Sequence, residues 1–158
     1  MIRDQTEAGV EALWQAIGVQ YARPGAQDLL LAAQDQAGVD VNLVLLLQAR
    51  AAAGLAGFDH AAMTRVVAAS HRWQQQVLGP LRRARRAAKA LDAGLYAALK
   101  HTELAAEKAA VRAYLAAGGP GQAAETAACQ VRRYLDLASI TDPDWRARLL
   151  RWSDPASG

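Results

Sequence analysis

The sequence predicts an all-α protein, a bundle of six or seven helices forming a single domain over residues 1–158. Composition favours helix over sheet, because the chain holds 38 alanines and 20 leucines but only 13 valines and isoleucines together. Apolar residues recur at helical spacing between glycine and proline breakers. A chain of 158 residues is also long enough to bury a core without a disulfide or a metal ion.

Four helices are predicted in the first half of the chain. The first carries an apolar stripe along one side, and the second covers about 24–38. The third, at about 41–53, is apolar nearly all round at Leu43–Leu47, so we expect it in the centre of the bundle. Asp40 is placed to cap the third helix and Asp59 to cap the fourth. The stripe of the first helix consists of Val10, Leu13, Trp14, Ile17 and Tyr21.

The second half of the chain is also predicted to be helical. Gly79-Pro80 is expected to turn the chain into a long helical stretch reaching residue 117, with a break or kink near Asp92-Ala93-Gly94 because the apolar stripe changes side there. Two further helices are predicted at 120–138, opened by Pro120, and at 143–152. The last helix has an apolar edge that we expect to dock on the rest of the domain, formed by Trp145, Leu149 and Trp152.

Composition and motifs exclude several classes of protein. The longest apolar run is Leu43–Leu47, far short of the ~20 residues that span a membrane, and the N-terminal stretch lacks the pattern of a secretory signal; a cytoplasmic protein is therefore expected. The single cysteine, Cys129, excludes an internal disulfide and is predicted to pack rather than react. No nucleophile elbow, phosphate-binding loop or dinucleotide motif occurs. We therefore predict no catalytic residue, no metal ligand and no cofactor; the widely separated histidines are His60, His71 and His101.

A polar segment precedes the most apolar helix and is the first candidate ligand site. Its side chains could hold a cation or the cationic group of a ligand. The structural alternative makes Asp40 a helix cap, pairs Asp35 with an arginine, and uses Asn42 to satisfy loop carbonyl groups. The candidate residues of this segment are Gln34, Asp35, Asp40 and Asn42.

Two acidic residues form the second candidate site. Glu103 and Glu107 are four residues apart and so lie on one face of a helix. On a helical wheel Glu107 falls inside a partly apolar stripe, where an unpaired carboxylate is costly. The pair could bind a metal ion or act as an acid and base, or it could neutralise cations of the preceding helix in an ion-pair network. The cations considered for that network are Arg82, Arg86 and Lys89.

A basic run supports a hypothesis of nucleic-acid or anion binding. The chain carries a formal net charge of +3, and much of the excess is concentrated in one helix that could follow a row of phosphates. Aromatic residues are not interleaved with the run, and no nucleic-acid-binding motif is present. The candidate residues are Arg82, Arg83, Arg86 and Lys89.

Three stretches resemble an uncharacterised bacterial family, known as a conserved domain of unknown function. They are LW with YARPG at 13–25, LAAQDQAGVDVNLVLLLQA at 31–49, and WQQQVLGPLRRARRAAK at 73–89 with ELAAE at 103–107. The resemblance covers about residues 10–115. It implies an α-helical domain and supplies no reaction.

These observations favour a non-catalytic binding, adaptor or regulatory module whose partner is another protein. The first alternative is a small-molecule or metal-dependent enzyme with a pocket lined by polar residues from both candidate sites. The second is association with RNA or DNA through the basic run. The first alternative requires one set of side chains to converge on a cavity: Asp35, Asp40, Asn42, Glu103 and Glu107.

Overall fold

Eight α-helices account for most of the chain in a computed structural model, which describes residues 4–154 and 156. A π-helical turn at Gln74–Leu78 joins two of the helices into one run, so that seven separate helical segments result. This confirms the predicted all-α class; over the described residues the strand content is a single antiparallel bridge between Gly57 and Ala123. The helices are α1 Glu7–Tyr21, α2 Ala26–Ala37, α3 Val41–Ala52, α4 His60–Trp73, α5 Gly79–Ala88, α6 Ala93–Gly118, α7 Ala127–Leu137 and α8 Pro143–Ser153.

Helix α3 lies at the centre of the bundle, as predicted from its apolar circumference. All residues from Val41 to Arg50 are buried, and α1, α2, α6 and α7 surround the helix. The side chain of Asp40 caps it by accepting a hydrogen bond from the backbone N–H of Leu43 at 3.2 Å. A helix with four neighbours has no face left for solvent, which is why its sequence carries no polar stripe.

The predicted break at Gly79-Pro80 is wrong, because the helical run continues from α4 through the π turn into α5. Pro80 has no N–H to donate, and its ring would crowd the carbonyl group four residues earlier in a regular helix. The wider π turn just before it absorbs this conflict. Gly79 donates its N–H to the carbonyl oxygen of Gln74, and a Cβ at position 79 would come within 2.5 Å of that oxygen.

The predicted break near Asp92 is confirmed. Helix α5 ends at Ala88 and α6 begins at Ala93, where the Asp92 side chain accepts from the N–H of Leu95 at 2.7 Å. The two helices fold back on each other. They therefore form a hairpin, which carries the basic run of α5 to the acidic residues of α6.

Helix α7 begins seven residues later than predicted, because Pro120 lies in a non-helical segment. This segment lies so close to residues 56–57 that a Cβ at Gly121 would overlap the carbonyl oxygen of Ala56. The first turn of α7 is instead capped by Thr126, which accepts from Cys129 N–H at 3.2 Å. Cys129 itself is exposed, so the prediction that it packs is wrong; it lies on α7 just before the buried positions, which begin at Gln130.

The C-terminal helix α8 docks as predicted, with Trp145 and Leu149 buried against the core. It packs mainly on α7. Over the described residues, every helix is too short or too polar to cross a lipid bilayer.

Candidate functional site

A cavity of about 550 Å³ opens between five helices, α1, α2, α3, α5 and α6. Its volume lies within the range of small-molecule sites, roughly 300–1,000 Å³. Both apolar and charged side chains form its wall. The lining residues are Trp14, Gln15, Ile17, Gly18, Tyr21, Leu31, Gln34, Val41, Asn42, Leu45, Arg82, Arg85, Arg86, Tyr96, Lys100, Glu103, Leu104 and Glu107.

The exposure of the lining residues distinguishes a floor from a mouth. The floor is formed by buried residues: Ile17, Val41, Asn42, Leu45 and Glu103. The mouth is formed by exposed residues: Gln15, Gly18, Leu31, Arg86, Lys100 and Leu104. The cavity therefore offers a mainly apolar interior that opens beside two cations.

A charged cluster of Arg82, Arg85, Glu103 and Glu107 forms one wall. The two carboxylate oxygens of Glu103 form ion pairs with different arginines. Oε1 lies 3.4 Å from Nε of Arg82, and Oε2 pairs with Arg85. Arg85 also hydrogen-bonds the hydroxyl of Tyr96. The guanidinium groups are brought inward because residues 82 and 85 lie about one turn apart on α5 and so share the face that meets α6.

Glu107 is less completely paired than Glu103. Its Oε1 lies 4.0 Å from Nη2 of Arg82, and its other recorded partner is a hydrogen bond with the side chain of Asn42. Burial and the neighbouring Glu103 carboxylate raise the pKa of Glu107, and Arg82 and Asn42 only partly oppose this. Burial, together with Glu107, also raises the pKa of Tyr21 on the facing wall.

The mouth carries a net positive charge. Arg86 pairs with Asp35 at 2.8 Å, and both side chains are more than half exposed, so this pair contributes little stability. Lys100 has no acidic partner in the described part of the chain. Gln34 is half-buried on the lining, one residue before Asp35.

Asp40 does not line the cavity; it organises a separate buried network of Asp40, Ser70, Tyr114 and Tyr134, here called the Asp40 network. Its Oδ2 accepts hydrogen bonds from the hydroxyls of Ser70 and Tyr114, each at 2.6 Å. Its backbone N–H donates to the Tyr134 hydroxyl at 2.8 Å. Burial, together with the negative charge of Asp40, raises the pKa of both tyrosines. The network ties α3 to α4, α6 and α7.

Gln74, in the π turn, connects the Asp40 network to the charged cluster. Its side-chain oxygen lies 3.5 Å from Nη1 of Arg82, and its side chain also hydrogen-bonds Tyr114. A π turn moves side chains out of the regular helical register. The conflict at Pro80 thus places a polar side chain between two otherwise separate polar groups.

Other candidate residues lie away from the cavity. Arg83 on α5 and Lys89 just after it are exposed and do not line the cavity. Of the basic run, Arg86 therefore lies at the mouth and Arg82 in the charged cluster, while Arg83 and Lys89 face solvent. The three histidines are exposed on α4 and α6. Over the residues that the structure describes, no group of three or more His, Cys, Asp or Glu side chains is arranged to hold a metal ion.

A second, smaller cavity of about 350 Å³ lies beside Arg50 at the opposite end of α3. The guanidinium there pairs with Asp4, donates from Nη2 to the carbonyl oxygen of Ala56 at 2.7 Å, and lies 4.1 Å from the centre of the Phe58 ring. Its buried Nε has no hydrogen-bond partner among the described residues. Burial lowers the pKa of Arg50 to about 10. These contacts hold the chain on either side of α3 together and leave the larger cavity as the candidate site.

Comparison with known families gives one match, over residues 12–113, to a protein family of unknown function, DUF2390. The chain belongs to this family. The match confirms the resemblance stated from the sequence. Every cavity-lining residue, from Trp14 to Glu107, falls inside the DUF2390 region, whereas α7 and α8 lie beyond it. No curated protein and no solved structure is found to match the chain.

Sequence reasoning found part of the DUF2390 cavity and missed the rest. Gln34, Asn42, Glu103 and Glu107 line it, together with Arg82 and Arg86 from the basic run. Arg85 was missed, although its spacing from Arg82 places both on one helical face. The other missed lining residues lie on stripes that are typical of core or of surface, so their pattern does not indicate a site. They are Trp14, Gln15, Ile17, Gly18, Tyr21, Leu31, Val41, Leu45, Tyr96, Lys100 and Leu104.

Proposed function

We propose that the protein is a non-catalytic binding module that holds a small organic molecule in the cavity between α1, α2, α3, α5 and α6. The observation that carries this proposal is the composition of the cavity: an apolar interior with a few fixed polar groups, at a volume of about 550 Å³. Small-molecule sites are typically built in this way. The cytoplasm is the compartment that the sequence predicts.

The rigidity of the lining supports the proposal. Asn42 and Leu45 belong to α3, whose first turn is fixed by the Asp40 network, and Glu103 is held by two arginines. The cavity wall is therefore anchored at several points before any ligand arrives. A pre-formed site reduces the entropy that binding must overcome.

Gly18 gives a direct test, because it lies at the mouth and a Cβ there would meet no atom within 4 Å. A side chain can therefore begin at this position without a clash at its Cβ, and a leucine there would add bulk at the mouth. We expect Gly18→Leu to weaken binding of the neutral fluorescent probe N-phenyl-1-naphthylamine by tenfold or more, measured by fluorescence titration of the full chain.

Two control variants separate blockage of the cavity from damage to the fold. Gly18→Ala adds one methyl group and should change affinity by less than about twofold, while raising the free energy of unfolding by about 0.5–1 kcal/mol because glycine is a poor helix former. Val19→Leu enlarges the neighbouring exposed side chain outside the lining and should change neither property appreciably. Failure of the wild-type protein to bind the probe, or equal binding by Gly18→Leu, would refute the proposal.

An enzyme that uses Glu107 is a second candidate function. The carboxyl group lines the cavity, and burial beside Glu103 raises its pKa, as is common for carboxyl groups that transfer protons in enzymes. Incubation with panels of metal ions, nucleotides and acyl esters tests this candidate. Turnover that is present in the wild-type protein and lost in Glu107→Gln would favour it over simple binding.

A further inference from the structure

We propose that the cavity takes an organic anion, with its apolar body inside and its acidic group at the mouth beside Lys100 and Arg86. This inference rests on the proposed function and adds the charge and orientation of the ligand. The acidic group is a carboxylate, sulfonate or phosphate. The way in which the charges of the lining are already paired determines which ligand charge the cavity favours.

The lining residues carry four cations and two carboxylates, so cations are in excess. The two carboxylates do not attract a cationic ligand strongly. Glu103 already has an arginine on each oxygen, and Glu107 lies 4.0 Å from the Arg82 guanidinium. Binding a cation deep in the cavity would therefore require competition with Arg82 and Arg85.

The cations at the mouth are less completely paired than the arginines of the charged cluster. Lys100 projects from α6 about one turn before Glu103, whose oxygens are taken by the arginines of α5. Across the described residues Lys100 has no ion-pair partner. Arg86 shares only an exposed pair with Asp35, which can open at little cost. Both cations can therefore meet an incoming anion.

The apolar residues set the orientation of the ligand. Ile17, Val41 and Leu45 form much of the buried floor, and burying an apolar body against them is favourable by about 25 cal/mol per Å². An acidic group placed there would lose its water without an unpaired cation nearby. At the mouth it keeps part of its hydration and gains Lys100, so the apolar part enters first.

The test compares two fluorescent probes of similar shape and different charge: the anion 8-anilinonaphthalene-1-sulfonate and the neutral N-phenyl-1-naphthylamine. Lys100→Gln should weaken binding of the anion by about three- to tenfold, the range for loss of one charge pair, and leave the neutral probe within about twofold. Lys100→Glu should weaken the anion further. Added salt should weaken the anion more than the neutral probe.

Lys89→Gln is the matched control, because Lys89 is an exposed lysine of the same hairpin that does not line the cavity. It should leave both probes unchanged. Equal effects of Lys100→Gln on the two probes, or none on either, would overturn the inference on charge. If the neutral probe still binds and is still blocked by Gly18→Leu, the proposed function survives that result; if neither probe binds, the proposed function itself fails.

Discussion

Two groups of polar side chains contain buried acids in this protein, and they are built on opposite principles. In the Asp40 network, a carboxylate with only 3% of its residue surface exposed is surrounded by hydroxyl and backbone donors. In the charged cluster, Glu103 and Glu107 face guanidinium groups across a cavity wall. The first group is closed to any ligand, whereas the second is open to one.

The difference shows how buried acids can be assigned to structure or to binding. Asp40 uses both oxygens on donors of its own chain and joins three helices to α3, so nothing remains for a ligand to replace. Glu107 has one distant cation and an amide partner beside open volume. Incomplete pairing next to a cavity, rather than burial alone, is what marks a candidate site.

Breaking the Asp40 network should have the largest effect on stability. Asp40→Ala removes the cap of α3 and leaves the buried hydroxyls of Ser70 and Tyr114 without their acceptor. Each orphaned buried group costs about 1–3 kcal/mol, and the cap about 1 kcal/mol more. We expect the free energy of unfolding, measured by urea titration, to fall by about 3–7 kcal/mol in total.

Asp35→Ala is the matched control for that variant, since Asp35 also lies at the α2–α3 end of the chain but pairs with Arg86 at the surface. It should cost less than about 1 kcal/mol. Similar losses in the free energy of unfolding for the two variants would show that the Asp40 network does not stabilise the fold more than a surface ion pair does.

Neutralising Glu103 should have an intermediate effect on stability and a distinct effect on binding. Glu103→Gln leaves Arg82 and Arg85 without their shared acceptor charge on a half-buried wall, for which we expect a loss of about 1–3 kcal/mol. Because the cavity becomes more positive, binding of 8-anilinonaphthalene-1-sulfonate should tighten while the neutral probe changes little.

Glu125→Gln separates those two consequences. Glu125 forms a part-buried pair with Arg133, at 2.5 and 2.6 Å, outside the cavity lining. This variant should lose a similar amount of stability without any change in probe binding. Equal effects of the two variants on binding of the anionic probe would show that the charge of the cluster does not influence the cavity.

Predictions from the sequence succeeded where the interacting residues are close together in the chain. The helical class, the central position of α3 and the caps by Asp40 and Asp59 follow from residues within one turn of each other, and all are confirmed. Gly79-Pro80 was misjudged because the widening of a helix into a π turn is a response to the whole run, and proline alone predicts only an interruption.

Prediction of the candidate site was limited by partners that are distant in sequence. The sequence offered Arg82, Arg86 and Lys89 as partners for the acidic residues of α6. The packing of the hairpin decides that Arg82 and Arg85 are the arginines that contact Glu103. The apolar half of the lining has the pattern of ordinary core. A cavity is a volume that side chains do not fill. The hydrophobic periodicity of a helix does not predict where such a volume lies.

The smallest predicted effect is a pH dependence that distinguishes Glu107 from Glu125. Burial raises the pKa of Glu107 in the folded protein, so its contribution to stability is fully present below the unfolded pKa, near 4.5, and is lost as the pH rises through the folded value. Glu107→Gln mimics the neutral form. Relative to wild type, it should therefore gain stability between about pH 4 and pH 7 in urea titrations.

Glu125 should behave with the opposite sign, because the hydrogen bonds from Arg133 lower its pKa. Its contribution is present above the unfolded pKa and is lost as the pH falls through the folded value. Glu125→Gln should therefore lose stability relative to wild type at pH 7 and lose less towards pH 3. Parallel pH profiles for the two variants would mean that the carboxyl group of Glu107 is as well paired as that of Glu125, and the contrast drawn between Glu107 and a fully paired acid would then be wrong.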